Sequence, residues 1–138
     1  MAVTIEIAYL GHLHCEAVHG PSQHTLNTDA PVDNGGKGAA YSPTDLVATA
    51  LGTCLMTVMG IVADRHQIDL SGARVRVVKE MTSVPTRRIG ALTTTITIPG
   101  GARLAPCDRA LLERTADLCP VRQSLHPDVK VTMAFEYL

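Results

Sequence analysis

The sequence has no tryptophan, one phenylalanine and three tyrosines, so aromatic residues fill only 3% of its 138 positions. Its core must be assembled from Ala, Val, Leu, Ile and Met, and it offers few rings on which nucleic-acid bases could stack. It also lacks an excess of either charge: 12 Lys and Arg stand against 13 Asp and Glu, a net charge of −1. No basic footprint exists for a phosphate backbone, so nucleic acid is not an expected partner. Charged residues are 18% of the chain and hydrophobic ones 46%. That balance argues for a packed domain rather than a disordered chain. Four cysteines are too few for a secreted scaffold stapled by disulfides. The opening MAVTIEIAYL has no basic stretch, long apolar run or cleavage pattern, so it does not read as a signal peptide. A reducing, cytoplasmic setting is the default expectation. The length is that of a single domain over residues 1–138.

One long apolar run is present. From Leu46 to Ala63 the chain reads LVATALGTCLMTVMGIVA, 18 residues without a charge. That is near the lower limit of ~20 for a membrane span. The run contains Thr49, Thr53, Thr57, Gly52 and Gly60, and Asp45 and Asp64 bracket it closely. A helix apolar on nearly all sides lies either in a bilayer or in a protein interior. The mixed pattern of the rest of the chain favours the interior, and no membrane partner is expected.

Alternation predicts strands over 3–9, 13–19 and 23–28, with Gly20-Pro21 as a turn. A Gly- and Pro-rich loop over 29–43 follows, of a length that is often functional. A helix is predicted over 43–66. Ser42 suits its N-cap, Pro43 its first position, and Asp45 completes a capping box. Strands over 73–82 and 89–98 come next, the first with Val75, Val77 and Met81 on one face. A helix over 108–118 directs Leu111, Leu112, Thr115 and Leu118 inwards. Pro120 stops it and opens a second short helix, and a strand over 129–137 closes the chain. Strands that cluster with short turns imply antiparallel pairing and an α+β class.

The cysteines differ in setting. Cys15, in a strand, and Cys107, before a helix, read as small packing residues. Cys54 lies midway along the apolar helix beside Gly52 and Thr53, where small neighbours leave room for a ligand or a second helix. Cys119 precedes Pro120 and so leaves helical geometry, which can place its thiol at the N-cap of the next helix, where amides and the dipole favour thiolate. Sequence alone cannot pair Cys54 with Cys119. If the fold joins them, they can act as a peroxidatic and a resolving thiol, through sulfenic acid to a disulfide. His12, His14, Cys15, His19 and His24 crowd together but match no zinc spacing, so no metal site is expected. Gly35, Gly36 and Gly38 match no phosphate-binding pattern.

Two segments carry a resemblance. DAPVDNGGKGAAYSPTDLVATALGTCLMTVMGIVA and the later ADLCPVRQSLHPDVKV resemble the OsmC/Ohr family of thiol-dependent peroxidases. The resemblance implies antiparallel sheets wrapping a long central helix in an intertwined homodimer, with active sites at the subunit interface. It implies Cys54 as peroxidatic and Cys119 as resolving cysteine, organic hydroperoxides as substrates, no cofactor, and a dithiol reductant, lipoyl groups being the best-known case. The better-known branches carry a Glu where this chain has Thr44. Asp45, one residue on, is the acid of a less-studied branch and the candidate catalytic acid here, as well as a capping-box residue. The family's catalytic Arg comes from the N-terminal strands, whereas the first Arg here is Arg65. Lys37, Arg65, Arg122 and the N-terminal histidines are candidates to replace it, with Lys37 and Arg122 carried forward as substrate-binding residues. The missing Arg also motivates a second reading, a domain that binds a small molecule at the dimer interface without peroxidase activity.

Overall fold

The computed structural model describes residues 1–138. Residues 1–47 and 48–138 form two compact units. In the first, β1 (Ile5–Gly11), β2 (His14–His19) and β3 (Thr25–Asp29) form an antiparallel meander, as the alternation predicts. His12 and Leu13 make the β1–β2 turn, both with positive φ (52° and 63°), the handedness that suits two-residue hairpins. Ile5, Ile7 and Tyr9 line up with His19, Ala17 and Cys15, and Ala17 with Leu26. Ile5, Ile7, Tyr9 and Leu26 are all exposed, so this sheet presents an uncovered apolar face. An open groove of about 410 Å³ lies there, lined by Ile5, Ala17, His19, Ser22, His24 and Leu26.

The loop after β3 is stitched to the chain rather than loose. The buried Asp29 carboxylate accepts the Ala39 N–H at 2.9 Å. Thr28 bridges to Tyr41. A Cβ at Gly36 would collide with the Ala30 carbonyl, so only glycine fits there.

The helix α1 (Pro43–His66) has the predicted boundaries. Its capping box is complete: the Asp45 N–H donates to Ser42 Oγ at 3.1 Å, and the Ser42 N–H donates to Asp45 Oδ2 at 2.9 Å. Arg65 and His66 occupy the last turn, where positive charge is favoured. Ala48, Leu51, Gly52, Leu55, Met59 and Ala63 form its buried stripe. Thr49, Thr53, Thr57 and Ile61 are exposed. Length and apolar composition would suffice to cross a membrane, yet the buried stripe is that of a core helix.

The second unit holds β4 (Arg74–Thr82), β5 (Arg88–Ile98), α2 (Pro106–Asp117), α3 (Pro120–Ser124) and β6 (Lys130–Tyr137). Val75, Val77 and Met81 share the inner face of β4, as expected. Gly90 is the extra residue of a bulge in β5, which moves the buried positions from Ile89 to Leu92, Thr94, Ile96 and Ile98. One expectation is corrected: β6 runs parallel to β5, not antiparallel. The α2–α3 connection between them is a crossover long enough to return the chain to the same end, which a hairpin cannot do. A second correction concerns Leu118, which is 69% exposed. The helix α2 ends at Asp117, and Ala116 takes the inward position instead.

Tyr137 ties β6 to α2. Its hydroxyl donates to Glu113 Oε1 at 2.8 Å, and Arg109 lies 4.7 Å over its ring. Burial, and then the Glu113 carboxylate, push its phenol well above the usual 10.0. The folded phenol therefore stays neutral where the unfolded one ionises. The stabilisation is complete below pH 10 and declines above it. Tyr137→Phe is expected to flatten this alkaline decline, read as urea midpoints at about pH 8 and about pH 11.

Candidate active site

Cys54 and Cys119 both lie in the second unit, and their positions follow from local rules. Cys54 sits on α1 two residues after Gly52. An added Cβ at Gly52 would lie 2.9 Å from Val77 Cγ2 and 3.3 Å from Val75 Cγ1. The room that small residues leave is thus taken up by β4, which α1 approaches closely, and not by a ligand or a second helix. Cys54 itself is half-buried.

Cys119 occupies the break between α2 and α3. Pro120 forces it into extended geometry (φ −60°, ψ 140°), and its sulfur caps α3 by accepting the Arg122 N–H at 3.3 Å. Cys119 is completely buried. Burial pushes its thiol pKa up, opposed by the Arg122 and Val121 amides and reinforced by a hydrogen bond to Cys54. The fold therefore brings the two thiols close enough for one to influence the other's titration, which no sequence spacing could establish. Cys119 holds its proton at neutral pH.

The other site candidates lie as follows. The Asp45 carboxylate is engaged in the capping box. Lys37 is exposed on the loop after β3, and Arg65 is exposed at the end of α1. Arg122 contributes its backbone N–H to Cys119, while its side chain leans towards Asp117, with Nε 3.9 Å from Oδ1. Sequence reasoning missed the Val121 amide. The Cys-Pro pair was its signal, because a residue that caps a helix faces several free N–H groups.

The remaining thiols and histidines are dispersed. Cys107 is exposed at the start of α2, contrary to the packing role expected of it, because Pro106 opens the helix there. Cys15 is half-buried. His12 lies in the hairpin turn rather than in a strand. His19 Nδ1 pairs with Ser22 Oγ at 2.6 Å. No three His, Cys, Asp or Glu side chains converge as a metal site would require.

Known proteins share this fold. A family model described as OsmC-like protein matches residues 35–134. A crystal structure from Psychrobacter arcticus, described as an osmotic stress induced and detoxification response protein, is 38% identical. The match covers 99% of this chain and 97% of that one, with a TM-score of 0.90. An organic hydroperoxide resistance protein OsmC from Legionella pneumophila shares the fold at 17% identity and a TM-score of 0.78, covering 99% and 97%. The organic hydroperoxide resistance protein OhrB of Bacillus subtilis does so at 15% and 0.70, covering 99% and 98%. No curated protein matches the sequence.

Proposed function

The chain belongs to the OsmC-like protein family, and from that premise we propose that it is a thiol-dependent peroxidase reducing organic hydroperoxides through Cys54 and Cys119. The observation that carries this reading is the nearness of the two thiols at different depths. Cys54 is partly open, whereas Cys119 is buried and protonated. The Cys54 thiolate attacks the hydroperoxide oxygen, the O–O bond breaks, and the alkoxide takes a proton to leave as an alcohol. Cys54 is then a sulfenic acid. Cys119 attacks its sulfur and expels hydroxide, which takes the Cys119 proton and leaves as water. A small dithiol, such as a lipoyl group, then reduces the disulfide. The Asp45 carboxylate, Lys37 and Arg122 are the candidates for orienting the peroxide.

In this reading residues 1–138 act as one domain of a homodimer in a reducing cytoplasm. The uncovered apolar face of the first sheet and the exposed stripe of α1 favour a second copy, because isolated proteins rarely leave such faces open. The test is cumene hydroperoxide consumption with dithiothreitol, with disulfides mapped by mass spectrometry. Turnover, a Cys54–Cys119 disulfide and a solution mass roughly twice that of the chain are expected. Cys54 and Cys119 remaining as thiols throughout would overturn the reading and leave small-molecule binding without chemistry.

A further inference from the structure

The catalytic cycle closes only when the disulfide is reopened, and the two sulfurs are not equivalent targets. We infer that the Cys54–Cys119 disulfide is opened at Cys54: the reductant's sulfur bonds to Cys54 Sγ, and Cys119 is released as a thiolate. This rests on the peroxidase reading and adds to it the atom that receives the reductant.

Access decides the matter. A thiolate attacks a disulfide in line with the S–S bond, from the far side of the sulfur it joins, so each sulfur is open only if its outer flank is open. Cys119 has 0% exposure, as have Leu112 and Ala116 in the helix that leads into it. Its backbone N–H is fixed to the Ala116 carbonyl at 3.2 Å. On the α3 side the Arg122 N–H occupies its sulfur at 3.3 Å. With no exposed atom, Cys119 offers an incoming thiolate no open flank. Cys54 is half-buried. A second copy packed on the molecule would not uncover Cys119. The peroxidase reading already requires a path for a hydroperoxide to Cys54, and the reductant uses the same path.

Burial raises the Cys119 pKa on balance and opposes its release, which two neighbouring amides partly offset. As the S–S bond breaks, its electron pair goes to Cys119, where the Arg122 and Val121 amides meet the developing charge. Burial works against that charge, and Cys119 regains a proton from water once released. A low leaving-group pKa speeds exchange, but only at a sulfur the nucleophile can reach. The exchange balances as one thiolate in and one thiolate out, leaving a mixed disulfide on Cys54. With a dithiol, the second thiolate attacks the reductant's own sulfur in that mixed disulfide. A cyclic disulfide forms and Cys54 is released as a thiolate, so the reductant has lost two electrons and the protein has gained them.

The experiment traps the first step with a monothiol, which cannot close a ring. Wild-type protein is oxidised with one equivalent of cumene hydroperoxide, pulsed with 2-mercaptoethanol, quenched in acid, denatured and alkylated with N-ethylmaleimide. Peptide mass spectrometry is expected to find mercaptoethanol on Cys54 and maleimide on Cys119, exceeding the reverse labelling by about tenfold or more. Reverse labelling, or an even split, overturns the inference. If the peroxide produces no disulfide, it is the peroxidase reading that fails. The disulfide is then formed with diamide and mapped in the same way, with the same two outcomes deciding between the sulfurs.

Discussion

Cys54→Ser is expected to lower hydroperoxide consumption by about a thousandfold or more, as removal of a sole nucleophile does. Cys119→Ser should behave differently. Without added thiol it should consume about one equivalent of peroxide per chain and then stop, because the sulfenic acid on Cys54 has no partner thiol. Further peroxide should carry Cys54 to the sulfinic acid, which thiol reductants do not reverse. The contrast follows from depth. Cys119 is buried and keeps its proton, so it cannot replace Cys54 as first attacker. The hydroxyl of Ser at position 54 is far too weakly acidic to act as the nucleophile. Steady-state consumption with dithiothreitol tests Cys54→Ser, and peroxide consumption without thiol, paired with intact-protein mass after excess peroxide, tests Cys119→Ser. Equal activity in Cys54→Ser and wild type would remove the proposed chemistry.

Gly52→Leu is expected to damage stability and activity together. The first carbon of the new side chain already falls 2.9 Å from Val77 Cγ2, and β-branched side chains have little rotamer freedom with which to yield. The rest of the leucine has nowhere to go, so α1 must move off β4. Overpacking of this kind costs about 3 kcal/mol, a fall in melting temperature on the order of 10 °C for a chain this size. Cys54 lies two residues along the same helix and moves with it. A displacement of about 1 Å at reacting atoms can cost on the order of a hundredfold in rate. Gly60→Ala is the control. Nothing lies within 4 Å of a Cβ there, and replacing a mid-helix glycine gains up to about 1 kcal/mol in propensity. Its melting temperature is expected to hold or rise, with activity unchanged. A Gly52→Leu protein as stable and active as wild type would show that the contact with β4 does not position Cys54.

The pattern of what could be read from the chain is instructive at particular residues. Ser42, Pro43 and Asp45 predicted the start of α1 correctly, because a capping box is a contact between residues three apart. The role of Asp45 was less legible, since one carboxylate can cap a helix and also serve a site. Pro120 likewise predicted the extended geometry of Cys119 and its capping of α3. Leu118 was misread because helical periodicity does not reveal that α2 ends one residue before it. Cys107 was misread because cysteine's usual burial says nothing of a residue that Pro106 sets on a helix's first, outward turn.

By itself, the sequence determined the α+β class, the order of the elements, the boundaries of α1, the cap at Cys119 and the family resemblance. All of these depend on neighbours a few residues apart, where sterics and hydrogen bonding act before any packing. The parallel entry of β6, the seating of Gly52 against Val75 and Val77, and the meeting of Cys54 with Cys119 were decided only by the tertiary structure. Each joins distant parts of the chain, and such contacts form only when burial of the α1 stripe and the β5 core outweighs the entropy of closing the intervening loops. The difference in depth between the two sulfurs arises at that same stage.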